Sequence, residues 1–98
     1  MIDLNLVSKE ILANKLKNKF PTNDLGHEIL LLKKEVEEVE ESVDDLDNLK
    51  KELADVVIFC ISIARIIGED LEKEILNKVE YNKTRQYKPE TYRIGASE

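Results

Sequence analysis

The chain is predicted to be all-α, a bundle of four helices in one domain, on three observations. Only three glycines and two prolines punctuate 98 residues, of which 37% are charged and 42% hydrophobic. That is helix-rich usage with enough apolar content to fold. Apolar residues recur at intervals of three and four along nearly the whole chain, the period of amphipathic helices. Capping residues stand between those periodic stretches, at the points where helices would begin and end.

The first helix rests on Leu4, Val7, Ile11, Leu12 and Leu16, and should end near Phe20-Pro21. Thr22, Asn23 and Asp24 offer N-caps for a second helix. There Leu25, Ile29, Leu32, Val36, Val39 and Val43 form a narrow seam of coiled-coil type. The acidic stretch Ser42 to Asn48 reads as the next connection. A third helix is expected from about Leu49 to Ile67, with Gly68 as the residue beyond its C-cap. Asp70 can cap a fourth, carrying Leu71, Ile75, Val79 and Asn82 on one face and fading near Tyr87-Lys88-Pro89. The domain is therefore placed at residues 1–87, with 88–98 as a loosely held tail.

Charge and length exclude several classes of function. A net charge of −6 argues against a phosphate-tracking nucleic-acid binder, whose signature is a basic face. Cys60, the only cysteine, lies in an apolar run and reads as a small core hydrophobe. The start Met1-Ile2-Asp3 has no basic segment leading into an apolar block, so no signal peptide is expected. The run Val56–Ile67 is well short of the roughly 20 residues that span a bilayer. These features predict a cytoplasmic protein with no membrane and no nucleic-acid partner.

The third helix is apolar almost all round, interrupted only by Ser62 and Arg65 between Val56 and Ile67. Three partner helices in so small a domain can hardly cover every side of it. One face should pack within the subunit and another against a second copy, which predicts a homo-oligomer, a homodimer or homotetramer.

Two carboxylate pairs carry the chemistry: Glu35-x-x-Glu38 and Glu52-x-x-Asp55. An i,i+3 spacing makes neighbours on one helix face. On a helical wheel Glu35 and Glu38 flank the seam on the side of Leu31, whereas Glu37 points with Lys33 and Lys34 to solvent. Glu52 and Asp55 share a side with Phe59, Ile63 and Ile66, and burying them without a cation would cost several kcal/mol per ion. Taken alone, the run from Lys33 to Glu41 would be a solvated helix face. Hard oxygen donors select Mg²⁺, Mn²⁺ or Ca²⁺ over zinc, and no His/Cys cluster competes. An EF-hand over Asp44 to Asn48 fails for want of the loop glycine and alternating ligands. Lys78, Asn82 and Arg85 line one face of the fourth helix, where two cations and an amide suit phosphate oxygens or simply face water. His27, in the first turn of the second helix, reads as a surface or capping residue.

Leu32-Lys33-Lys34-Glu35-Val36-Glu37-Glu38-Val39 followed by Glu52-Leu53-Ala54-Asp55-Val56-Val57 resembles the E-x-x-E … E-x-x-D signature of MazG-like all-α nucleoside triphosphate pyrophosphohydrolases. Gly68-Glu69-Asp70-Leu71 with Lys78-x-x-x-Asn82-Lys83-x-Arg85, and Phe20 to Asp24 with Glu28, are similar to that family's flanking segments. The resemblance spans about Phe20 to Tyr87 and implies a four-helix MazG-like bundle. It also implies hydrolysis of an NTP or dNTP to monophosphate and pyrophosphate, in nucleotide-pool cleaning. Glu35, Glu38, Glu52 and Asp55 would be both Mg²⁺ ligands and catalytic residues, with Mn²⁺ a substitute. Lys78 and Asn82, and Arg85 with them, would contact phosphate.

The chain departs from the pattern at Lys34, where the family often has an acid, and at Glu37, where it has glycine; the general base is then another group, such as Glu38 or Glu41. Phe59, Tyr81 and Tyr87 are aromatic enough to stack on a base, although core packing or surface exposure accounts for them as well. Related alternatives are a pyrophosphohydrolase acting on phosphoribosyl-ATP or a similar nucleotide, and a non-catalytic helical homodimer with a vestigial metal site.

Overall fold

A computed structural model describes residues 1–85, and over them the chain is four α-helices without a strand. They are α1 (Leu4–Lys17), α2 (Leu25–Glu41), α3 (Leu46–Ile66) and α4 (Leu71–Thr84). Tyr87, the proposed domain boundary and the 88–98 tail lie outside the described residues. Among the described residues no helix is long and apolar enough to cross a membrane.

Every helix begins on an aspartate. Asp3, Asp24, Asp45 and Asp70 each have extended backbone and accept a backbone N–H from the first turn. Each carboxylate thus satisfies a donor that the helix cannot, and sits at the positive end of its dipole. Asp45 in that role starts α3 at Leu46, three residues before the expected Leu49, and shortens the preceding turn. The chain leaves α3 through a Schellman turn. Glu69 N–H donates to the Ala64 carbonyl and Gly68 N–H to that of Arg65, with Gly68 at φ 75°. At the end of α1 the same turn is made by Lys19 at φ 59°, so that helix stops at Lys17 rather than at Phe20-Pro21.

The α2–α3 hairpin is the body of the fold. Ser42 locks its turn, its hydroxyl donating to the Glu38 carbonyl and accepting from Asn48 Nδ2 at 2.8 Å each. The α2 face turned to α3 is not centred on the apolar seam. It runs through Glu28, Leu31, Leu32, Glu35, Glu38, Val39 and Ser42, all buried or half-buried. Leu25, Ile29, Val36 and Val43 of the expected seam are exposed. The reason is polar: Glu28 pairs with Lys15 on α1, and that pair fixes how α2 is rolled.

α1 lies across the hairpin. The buried apolar side chains in the described chain are Ile61 and Ala64, beside a larger set of buried polar ones. Lys15, 9% exposed, forms an ion pair with Glu28, 2% exposed, and donates to Ser62 Oγ at 2.7 Å. Arg65 adds a bond from Nη1 to the Thr22 carbonyl, 2.9 Å. One network thereby ties α1, the α1–α2 connection, α2 and α3 together. The interruptions at Ser62 and Arg65 in the apolar run are its α3 anchors.

α4 does not close a four-helix bundle within the chain. It packs lightly on α1 through its first turn, where Leu4 N–H donates to Glu72 Oε1 at 3.0 Å. From Lys73 onward every described α4 residue is exposed.

Removing one partner of a buried ion pair leaves the other charge uncompensated and typically costs about 3–5 kcal/mol. Glu28→Ala should lower the urea-unfolding free energy on that scale, while the paired change Lys15→Met with Glu28→Leu recovers most of it. A double variant no more stable than the single one would show that the pair does not act as a unit.

Candidate functional site

The carboxylates meet midway along the hairpin. Because Ser42 fixes the turn, Asp55 lies across from Glu35, and Glu52 faces the same stretch of α2. One carboxylate oxygen from each of Glu35, Glu52 and Asp55 comes within 4.8 Å of the other two. That spacing suits oxygens that converge on one divalent ion. All three residues are half-buried. Glu38, the fourth expected ligand, stays outside this three-atom cluster, but it adjoins Glu35 closely enough to share a hydrogen bond with it.

The electrostatics of the cluster are unfavourable without a counter-charge. Burial pushes the Glu35 carboxyl up from the ordinary 4.5 to about 7, helped by hydrogen bonding and repulsion from Glu38, hydrogen bonding to Glu52 and the charge of Asp55. Glu35 Oε2 and Glu52 Oε2 are buried without a hydrogen-bond partner. Two orphaned carboxylate oxygens in a set of oxygen-only donors are what a hard divalent cation satisfies. The residues therefore fit Mg²⁺ or Mn²⁺.

A cavity of about 580 Å³ lies between α1, α2 and α3, and none of Glu35, Glu38, Glu52 and Asp55 lines it. Leu31, one helical turn before Glu35, and Phe59, one turn after Asp55, both line it. Its wall is mostly apolar, with Phe20 and Ile58 contributing, and its polar residues include Lys15, Glu28 and Ser62 of the buried network. Phe59 is thus a wall of this cavity. Glu37 is exposed with Lys33 and Lys34, as the wheel requires, and His27 is exposed in the first turn of α2.

The cationic residues of α4 are not brought to the carboxylates. Lys78, Asn82 and Arg85 are exposed. Lys78 Nζ lies 5.0 Å and the Arg85 guanidinium 5.5 Å from the centre of the Tyr81 ring, so Tyr81 sits between cations and away from the cavity lining. Sequence reading missed the Lys15–Glu28–Ser62 network. Its signal was present, since Glu28 precedes Glu35 by one heptad on the same face and Ser62 interrupts an apolar run.

Comparison of the chain with protein-family models, curated proteins and solved structures found no match.

A carboxyl whose folded-state pKa is raised is stabilising while protonated, and loses that contribution as pH rises through the folded value. The ion-free protein should therefore lose stability between about pH 4.5 and 7 through Glu35. Urea midpoints measured across that range should fall in the parent, and Glu35→Gln should flatten the slope. Mg²⁺ binding near pH 7 should release protons, seen by calorimetry in buffers of different ionisation enthalpy.

Proposed function

We propose that the protein is a Mg²⁺-dependent pyrophosphohydrolase that cleaves a nucleoside or deoxynucleoside triphosphate to the monophosphate and pyrophosphate. The observation that carries this reading is the convergence of Glu35, Glu52 and Asp55, with two buried unpartnered oxygens, one helical turn along α2 and α3 from residues that line a cavity large enough for a nucleoside. The residues that resemble the ordered signature of MazG-like pyrophosphohydrolases are these same ones.

A polar, polyanionic end and a flat, apolar end are the two halves of such a substrate. The carboxylates are placed to hold divalent ions against the first, and the Phe20–Leu31–Phe59 wall to receive the second. Mg²⁺ held by Glu35, Glu52 and Asp55, with Glu38 beside them, would neutralise phosphate charge and acidify water for attack on phosphorus. The proton of the attacking water would go to an acid outside the three-oxygen cluster, such as Glu38. Lys34 points to solvent, so it does not substitute for the acid that the family often carries there. Lys78, Asn82 and Arg85, which lie apart from the carboxylates within the chain, would supply the positive charge and hydrogen bonds that phosphate oxygens need beyond the metal.

Self-association belongs to the same reading. Ile29, Val36, Val43, Leu53 and Val57 are exposed along the hairpin, and Ile75, Leu76 and Val79 along α4, more apolar surface than a small monomer ordinarily leaves to water. A homodimer or homotetramer would cover it.

Incubation with a panel of dNTPs and NTPs in Mg²⁺ should give monophosphate and pyrophosphate from at least one of them. Orthophosphate with diphosphate would reject the cleavage position, and turnover of phosphoribosyl-ATP alone would shift the substrate class. Glu52→Gln and Asp55→Asn should lower kcat/KM at least about a hundredfold, the scale of losing one strong electrostatic contributor. Both should stay folded, since each relieves carboxylate repulsion. Mg²⁺ should raise the parent's Tm far more than theirs.

A further inference from the structure

We propose that Glu28 is a specificity-determining residue of the cavity between α1, α2 and α3, its free carboxylate oxygen accepting from the exocyclic amino group of a nucleobase. Cytosine, adenine and guanine are then preferred over uracil, thymine and hypoxanthine. This rests on the pyrophosphohydrolase reading for the rest of the substrate and on the buried network for its chemistry.

The network leaves one acceptor over. Glu28 is 2% exposed, yet it lines the cavity together with Lys15 and Ser62. Its Oε1 takes the Lys15 ammonium, while Oε2 is buried without a hydrogen-bond partner. Lys15 is held by its second bond, from Nζ to Ser62 Oγ at 2.7 Å, and Ser62 in turn accepts from Arg65 Nη2 at 3.4 Å. The charge of Glu28 is thus already answered. A second cation there would be buried beside an ammonium, whereas a neutral N–H would not meet that repulsion. The unmet oxygens of Glu35 and Glu52 differ, because they belong to a cluster of three acids and suit a metal ion. The group that Glu28 lacks is a neutral donor.

The walls narrow the kind of donor. Ile11, Phe20, Leu31, Ile58 and Phe59 surround Glu28 with apolar and aromatic surface, in a volume that takes a flat heterocycle and its sugar. On such a body the donor is an N–H at the ring edge. The amine of cytosine, adenine or guanine projects beyond the ring with a hydrogen to give. Uracil and thymine carry a carbonyl oxygen where cytosine has its amine, which sets acceptor against acceptor. Their ring N–H lies between two such oxygens. A site with a buried acceptor rejects a ligand that cannot meet it far more strongly than an apolar pocket rejects a misfit.

The test compares substrates that differ in this group, dCTP against dUTP, and dATP and dGTP against dITP. In each comparison that gives turnover, kcat/KM of the parent should be at least about tenfold higher for the base with the amine. Glu28→Gln keeps the volume and offers its amide oxygen to Lys15, which puts the amide N–H₂ where Oε2 was. A donor then replaces an acceptor, and the ratio should fall at least about tenfold, toward the carbonyl bases. Equal turnover within each pair by the parent, or a ratio unchanged by Glu28→Gln, would overturn the proposal. Should the variant fail to fold, a dCTP analogue without the 4-amino group decides on the parent alone: undiminished turnover overturns the assignment.

Nucleosides without phosphate or Mg²⁺ read the cavity apart from turnover. Deoxycytidine should shift the amide NMR signals of Leu31, Phe59 and Ser62 in the full-length parent, and deoxyuridine at the same concentration should not. If the parent hydrolyses no nucleotide while deoxycytidine alone gives these shifts, the functional reading fails and the role of Glu28 stands. Equal shifts with both nucleosides, or none with either because the cavity holds only water, would overturn the proposal.

Discussion

The fold depends on the ion pair between Lys15 and Glu28, closed by Ser62. Two apolar side chains are fully buried among the described residues, too few for hydrophobic burial alone to hold three helices in register. A buried pair contributes little net stability compared with a well-packed apolar core, because desolvation offsets most of the attraction. What it gives is specificity. Glu28 has one place on the molecule where its charge is answered, and that place is reached only when α1 crosses the hairpin at Lys15 and α2 is rolled with Glu28 inward.

That roll determines where the chemistry sits. Glu28, Glu35 and Ser42 are spaced by heptads on α2, so turning Glu28 toward Lys15 also turns Glu35 toward α3 and Ser42 into the hairpin turn. The ion pair and the carboxylate cluster are therefore one structural decision. The first has its counter-charge within the chain. The second does not: burial and the neighbouring acids push the Glu35 carboxyl up to about 7, and Glu35 Oε2 and Glu52 Oε2, like Glu28 Oε2, lie buried without a hydrogen-bond partner. Stability given up at such a cluster is the usual signature of a binding site rather than of a structural element.

How much of this was legible in the sequence follows from the range of each interaction. Asp24 and Asp70 could be read as caps because a cap acts on N–H groups within three residues. Asp45 was equally readable, but the acidic run around it favoured a longer turn and hid the start of α3. The wheel placed Glu35 beside Leu31 and Glu52 beside Asp55 correctly, since one helix fixes those relations. It could not tell that Leu25, Ile29, Val36 and Val43 of the seam would face outward, because the roll of α2 is set by Lys15, on another helix. The course of α4 was also beyond reach. Its periodicity describes a stripe, and a stripe does not say against what it packs.

The outward seam and the projecting α4 have a common origin. A helix that spends its inward face on Glu28, Glu35, Glu38 and Ser42 has that much less apolar surface to bury inside, and its valines and isoleucines are displaced to the opposite side. In a chain with a conventional core such a displacement would be a defect that invites aggregation. Here it is what placing four carboxylates at a helix–helix interface requires, because a hairpin of this length cannot present both a carboxylate-lined face and a full hydrophobic face to its own neighbours. Packing and the acidic cluster are thereby linked: the polar residues that take the inward face of α2 are the ones that gather the carboxylates.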